Sequence, residues 1–255
     1  MFKFLTSAAA VAVLTSTAAF AETGDLKIRF EYAGERPEPE LVVVNKDVEF
    51  CGKTKLAEER LIVSPENNGI KNVVVYVYTG RGGSKLDDVE PANNTHTLAN
   101  DKCRFEPHVL IAQKGDTIKV TNPDAVAHNA NFTFFNNPSQ NFTIPAGQEK
   151  KVELEEDEPG LSPVACNIHP WMKAFILVLD HPFAGATDEN GEVVIKGLPT
   201  GKLVFRANHE AGAIKNVVID GKEESWRGSR FEVDIKPGMN DFGTVMVPAD
   251  ALSSE

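Results

Sequence analysis

Short apolar runs, broken every few residues by glycine, proline, asparagine or aspartate, constrain this chain more than any other feature. The runs are 26–30, 41–44, 70–78, 108–112, 117–121, 151–154 and 174–179, then 192–196, 202–206, 213–219, 230–235 and 243–247. Lys114-Gly115-Asp116, Pro145-Ala146-Gly147 and Glu158-Pro159-Gly160 supply the positive-φ and fixed-φ positions that tight connections need. No long apolar stripe of helical period follows the first twenty or so residues, and the one weak helical candidate is 54–60. This pattern predicts an all-β sandwich architecture. Ile70-Lys71-Asn72-Val73-Val74 recurs as Ile214-Lys215-Asn216-Val217-Val218, a coincidence of strand composition rather than a repeat.

At 255 residues the chain has the length of two modest domains. Asp180-His181-Pro182 separates the two series of strands, which places the domains at 22–180 and 181–255. A hydrophobic share of 42% with 25% charged residues is ordinary for a globular protein and excludes disorder or a multispan membrane protein. With 26 Lys+Arg against 37 Asp+Glu, the net charge of -11 and the lack of a basic cluster disfavour nucleic-acid binding, and no nucleic-acid partner is expected.

Residues 1–21 read as a secretory signal. Lys3 precedes an apolar stretch that ends on Ala19-Phe20-Ala21, an A-x-A cleavage pattern. A retained anchor is the alternative, but the run is short and diluted by Thr and Ser. The expectation is a periplasmic or secreted protein with no stable membrane insertion after cleavage. Oxidising surroundings favour disulfides, and the three cysteines divide as two plus one. Cys51 and Cys103 have no metal-ligand neighbours and form the candidate bridge, with a pair of buried free thiols as the other reading. Cys166 stands apart.

Cys166-Asn167-Ile168-His169-Pro170-Trp171-Met172 places a thiolate, an imidazole and a thioether at three-residue spacing. A trigonal His2Cys site with a long, weak Met bond suits copper in both oxidation states. His128, after the strand 117–121 and a turn, is the candidate second imidazole. Zinc fits less well, because Met is a poor zinc ligand and structural zinc sites carry more cysteines. No cysteine-hydrolase signature surrounds Cys166.

These residues carry a family resemblance. Phe105 to Val120 with His128-Asn129 resembles the paired strands that lead to the first His ligand in the cupredoxins, the type 1 blue copper proteins. The short Cys-x2-His-Pro-aromatic-Met loop resembles that of the amicyanins. The resemblance covers roughly 105–179 and implies a Greek-key β-sandwich with one type 1 copper ion. It implies His128, Cys166, His169 and Met172 as ligands and Asn129 as the residue tying the two ligand loops together. Residues 22–102 are longer than the family's N-terminal strands, and a Cys51-Cys103 pair is not in the amicyanin pattern. Residues 184–195 with Leu198-Pro199-Thr200-Gly201 resemble carboxypeptidase regulatory-like domains, which implies a second, smaller antiparallel β-sandwich and no activity.

Six histidines with no His-x-His pair cannot assemble a trinuclear cluster, so the second reading, a copper oxidase or nitrite reductase, is disfavoured and no enzyme activity is expected. Electron carrier is the primary reading. A copper-delivery or structural module without redox turnover is the alternative. The partners expected are redox proteins such as a c-type cytochrome or a periplasmic dehydrogenase. His96 reads as solvated and His108 as a buried, hydrogen-bonded residue or a variant ligand. His181 and His209 read as linker and surface residues that could approach the metal only if the second domain folds back. Trp171 reads as a shield or docking residue beside His169, or as core packing. The acidic residues Glu153, Glu155, Glu156, Asp157 and Glu158 read as a solvated face or as a steering patch near His169.

Overall fold

The regular elements of the computed structural model, which describes residues 22–252, are almost wholly strands, several of which alternate buried and half-buried side chains. The reading of residues 1–21 as a signal lies outside the described residues. In chain order the strands are β1 (Thr23–Ala33), β2 (Val74–Val77), β3 (Thr95–Asp101), β4 (Arg104–Glu106), β5 (Val109–Gln113) and β6 (Thr117–Thr121). They continue as β7 (His128–Phe132), β8 (Gln140–Ile144), β9 (Glu149–Glu153), β10 (Ser162–Ala165), β11 (Lys173–Leu179) and β12 (Ala184–Ala186). The last six are β13 (Glu192–Pro199), β14 (Gly201–Asn208), β15 (Asn216–Ile219), β16 (Lys222–Ser225), β17 (Arg230–Ile235) and β18 (Gly238–Pro248). One helical turn, α1 (Val48–Cys51), lies between β1 and β2. The expected helix at 54–60 does not form; Ala57 there makes an isolated bridge with Leu41.

Sheets of order β5-β11-β10-β7-β8 and β4-β3-β6-β9 enclose one core, which contains Phe105, Ile118, Phe132, Ile144, Cys166, Met172 and Ile176. Sheets of order β13-β1-β18-β15-β16 and β12-β2-β14-β17 enclose a second core around Phe30, Phe205, Trp226 and Phe231. The fold class expected from sequence is all-β, and that is what the structure shows. Within the second pair of sheets, β1 and β18 run parallel, so that sandwich is mixed rather than antiparallel throughout.

The boundary near residue 180 needs correction. β1 and β2 precede it, yet they are strands of the second sandwich: β1 pairs with β13 and β18, and β2 with β12 and β14. The physical reason is that β1 turns Leu26, Ile28, Phe30 and Tyr32 onto a core shared by residues 63–77 and 193–252. Strand alternation fixes which face is apolar but does not name the partner.

The uninterrupted apolar runs have a related cause. Val74 and Tyr76 of β2 pack against Leu177 and Leu179 of β11, while Val75, Ile176 and Val178 face the two sandwich cores. Both strands are covered on both faces because the sandwiches pack against each other. A strand buried twice reads as a continuous apolar run rather than an alternating one.

Four histidine and acidic readings change accordingly. His181 and His209 are buried, not linker and surface residues. Each is locked as the neutral Nε2–H tautomer: Nε2 donates to the carbonyl of Val77 or Lys71, and Nδ1 accepts the N–H of Phe183 or Ala211. His96 lies in β3 and pairs with Asp116 at 2.8 Å instead of standing in solvent. Glu158 is no solvated residue. Its buried carboxylate accepts the N–H groups of Phe135, Asn136 and Asn137, and although burial alone would raise its pKa, these bonds hold it below the usual range.

Candidate metal centre

β6 and β10 both run toward the same end of the first sandwich, and each delivers a donor there. After Thr121 the chain turns through Asn122-Pro123-Asp124. The Asn122 side chain donates to the carbonyls of Val126 and Ile144 and accepts the Asp124 N–H, an Asx turn that fixes where β7 begins. β7 opens on His128. Ala165, the last residue of β10, pairs with Lys173, the first of β11, so residues 166–172 form a closed loop between adjacent strands. Inside it, Cys166 N–H donates to the Met172 carbonyl and Met172 N–H to the His169 carbonyl.

This geometry brings His128, Cys166 and His169 together, with one donor atom from each within 4.8 Å of the others. His128 and His169 have no exposed surface. Their Nδ1 atoms stand 3.0 Å apart, and Cys166 Sγ lies 3.7 Å from His169 Nδ1. Met172, also buried, closes the loop in the same core cluster as Cys166. Asn129 does tie the two segments. Its Oδ1 accepts the Asn167 N–H at 3.1 Å, its Nδ2 donates to Asn141 and Phe142 of β8, and its backbone N–H donates to Cys166 Sγ at 3.3 Å.

Two aspartates that sequence reasoning did not single out complete the arrangement. Asp124 Oδ2 accepts from His128 Nε2 at 2.8 Å, and Asp47 Oδ2 accepts from His169 Nε2 at 2.8 Å. Asp124 had a local signal, because Asn-Pro-Asp four residues ahead of a histidine is a turn that can reach back to it. Asp47 had none, being 122 residues from its partner.

The donor set suits a metal ion. With each Nε2 donating to a carboxylate, a neutral ring keeps a bare lone pair on Nδ1. Two such lone pairs face each other at 3.0 Å, and they repel unless a cation lies beside them. The thiol is prepared as well. Burial alone would raise the Cys166 pKa, but the His128 and His169 rings beside the sulfur and the backbone N–H groups of Asn129 and His169 that donate to it outweigh this and bring the value down to about 6. Burial would lower the His169 pKa, and its bonds to Cys166 and Asp47 reverse this and raise it. The second cluster of donors, Cys103, Asp124 and His128, offers no free thiolate, because Cys103 is joined to Cys51.

No family model and no curated protein matches the chain. Among solved structures, a Cu(I) mutant of amicyanin aligns at 21% identity and a TM-score of 0.29, covering 32% of this chain and 79% of that one. A purple cupredoxin from Nitrosopumilus maritimus aligns at 23% and 0.28, covering 32% and 97%. A copper-containing nitrite reductase from Thermus scotoductus SA-01 aligns at 23% and 0.30, covering 40% of this chain and only 25% of its own. The structural neighbours are therefore cupredoxins, and likenesses of this size decide nothing about the centre.

The other expected features sort plainly. Cys51 and Cys103 form a disulfide. His108 is buried away from the metal candidates, between Glu210 at Nε2 and Glu59, 3.8 Å from Nδ1. His181 and His209 do not join the cluster. Trp171 is half-buried, its ring 5.2 Å from that of His169 and its Nε1 donating to the Cys103 carbonyl. The acidic run does not border His169. Glu153 pairs with Thr117, at the start of β6, and residues 155–158 precede β10, so the run lies at the opposite end of these strands from the donors. No helix among the described residues is long and apolar enough to cross a membrane.

Proposed function

We propose that this chain is an exported mononuclear copper protein of the type 1 class that carries single electrons, in which His128, Cys166, His169 and Met172 would hold the ion. The observation that carries this reading is the pair of carboxylate-anchored imidazoles presenting both Nδ1 atoms toward each other beside a thiolate-prone cysteine. Copper, when bound, would supply reversible one-electron chemistry through a soft thiolate bond.

The protein's part is positional. Asp124 and Asp47 hold the two rings in the tautomer that leaves Nδ1 free, and such carboxylate partners raise ligand basicity. Two N–H donors, Asn129 and His169, point at Cys166 Sγ and localise charge there. Burial of all four residues excludes water, which favours a ligand set that changes little between oxidation states. The electron partner proposed is a redox protein such as a c-type cytochrome or a periplasmic dehydrogenase. The C-terminal strands are proposed as a carboxypeptidase regulatory-like sandwich without activity of its own.

Voltammetry of the copper-loaded full chain tests the reading. A reversible one-electron wave, with copper retained through repeated cycles in the presence of a Cu(I) chelator, is expected. Prompt loss of the metal on reduction would instead identify a delivery protein.

A further inference from the structure

The loop 40–58 is closed at its base, where Val42 N–H donates to the Leu56 carbonyl and Glu58 N–H to that of Glu40. Its inner side chains, Val42, Val44, Phe50 and Leu56, pack on the core that holds Cys166 and Met172. At its tip, Asp47 adopts φ 46°, ψ 42°, the left-handed region that a non-glycine residue occupies at a cost. This conformation starts the α1 turn and places the Asp47 carboxylate on His169 Nε2. Four residues on, Cys51 is bonded to Cys103.

The disulfide is tied to both imidazoles. Cys51 Sγ lies 3.8 Å from His169 Nε2. On the other side, Lys102 and Cys103 are also in the left-handed region, at φ 51° and 58°, and donate their N–H groups at 2.7 and 2.8 Å to the same Asp124 carboxylate that holds His128. The carbonyl of Cys103 accepts from Trp171, which flanks His169. A bridge that only stabilised the fold would have no need to join Asp47–His169 to Asp124–His128.

Resting on the copper reading above, we propose that loop 40–58 is a disulfide-latched cover of the metal centre and that Asp47 is the positioning residue for His169. The latch keeps the carboxylate on Nε2 and shuts solvent and competing chelators away from that edge of the site. Asp47 itself remains 42% exposed, so the cover is one side chain deep at this point.

The first test uses the metal-free full chain: carbethoxylation of His169 by diethyl pyrocarbonate, followed by peptide mass mapping. His169 is expected to resist in the native chain and in Asp47→Asn, which can still accept from Nε2. It should react at least about tenfold faster in Asp47→Ala and in the Cys51→Ser/Cys103→Ser double variant. The second test uses the copper-loaded chain. Extraction by a Cu(I) chelator should accelerate on the order of 10–100-fold in the same two variants, the usual scale for losing an outer-sphere ligand partner. Asp47→Asn should keep slow extraction yet raise the reduction potential, because a negative charge that favours Cu(II) is gone. Equal His169 reactivity in the native chain and both cover variants would overturn the proposal. If the double variant does not fold, Asp47→Ala with its disulfide intact decides alone. A chain that took up no copper would defeat the copper reading, while the metal-free modification experiment would still decide the cover.

Discussion

His209 gives a quantitative handle on the second core. The imidazole is buried, donates through Nε2 to the Lys71 carbonyl at 3.1 Å and accepts the Ala211 N–H on Nδ1 at 3.1 Å. Nothing there accepts a second ring proton, and burial pushes its pKa down to about 4 from 6.5. The unfolded imidazole binds a proton below its ordinary pKa, whereas the folded one stays neutral until about pH 4. Its contribution is therefore fully present above pH 6.5 and is lost as pH falls toward 4. A difference of 2.5 units at about 1.36 kcal/mol each gives about 3 kcal/mol in all, of which about 2 kcal/mol is lost by about pH 5. Urea unfolding of the metal-free chain at about pH 7.5, 6 and 5, compared with His209→Gln, isolates this part because every other titrating group is shared. The variant should start less stable and then decline less steeply, with the two curves converging by about 2 kcal/mol at pH 5. Parallel curves would refute the buried-neutral assignment.

Three further outcomes follow from the metal end of the molecule. Removing the disulfide, whose cysteines are 52 residues apart, should cost about 4 kcal/mol in the chain-entropy account, measured by denaturant unfolding of Cys51→Ser/Cys103→Ser; a loss below about 1 kcal/mol would contradict it. Asn129→Ala deletes the side-chain bonds to Asn141, Phe142 and Asn167. It should lower stability by about 1–3 kcal/mol and weaken copper retention in a competition assay. In the metal-free chain the ultraviolet thiolate absorbance of Cys166 should titrate with a midpoint at about 6, far below the ordinary thiol value of 9.0, so a midpoint above pH 8 would show that the hydrogen bonds to sulfur are not made.

Local chemistry was legible in the sequence and long-range pairing was not. Thr117–Thr121 is a strand at the bounds its alternation gives, and the 166–172 loop has the closed form its three-residue spacing implies. β7 carries no strand signal because His128-Asn129-Ala130-Asn131-Phe132 spends its polar positions on the site, and β10 carries none because it contains Pro163. The alternation of β1 does not reveal that it belongs to the second sandwich, because an apolar face does not specify which core it will join. The acidic run suggested a face, yet Glu158 is folded inward by three backbone donors from another loop. Asp47 reaches His169 only through the tertiary fold, so no spacing rule could have found it.

The visible absorption spectrum of the Cu(II)-loaded full chain tests the central claim most directly. An intense thiolate-to-copper charge-transfer band is expected, absent in Cys166→Ser and retained in Met172→Leu with a shifted reduction potential, because the thiolate would supply the colour and the thioether would only tune the potential. A colourless copper adduct, or a band that survives Cys166→Ser, would contradict a type 1 centre built on His128, Cys166 and His169.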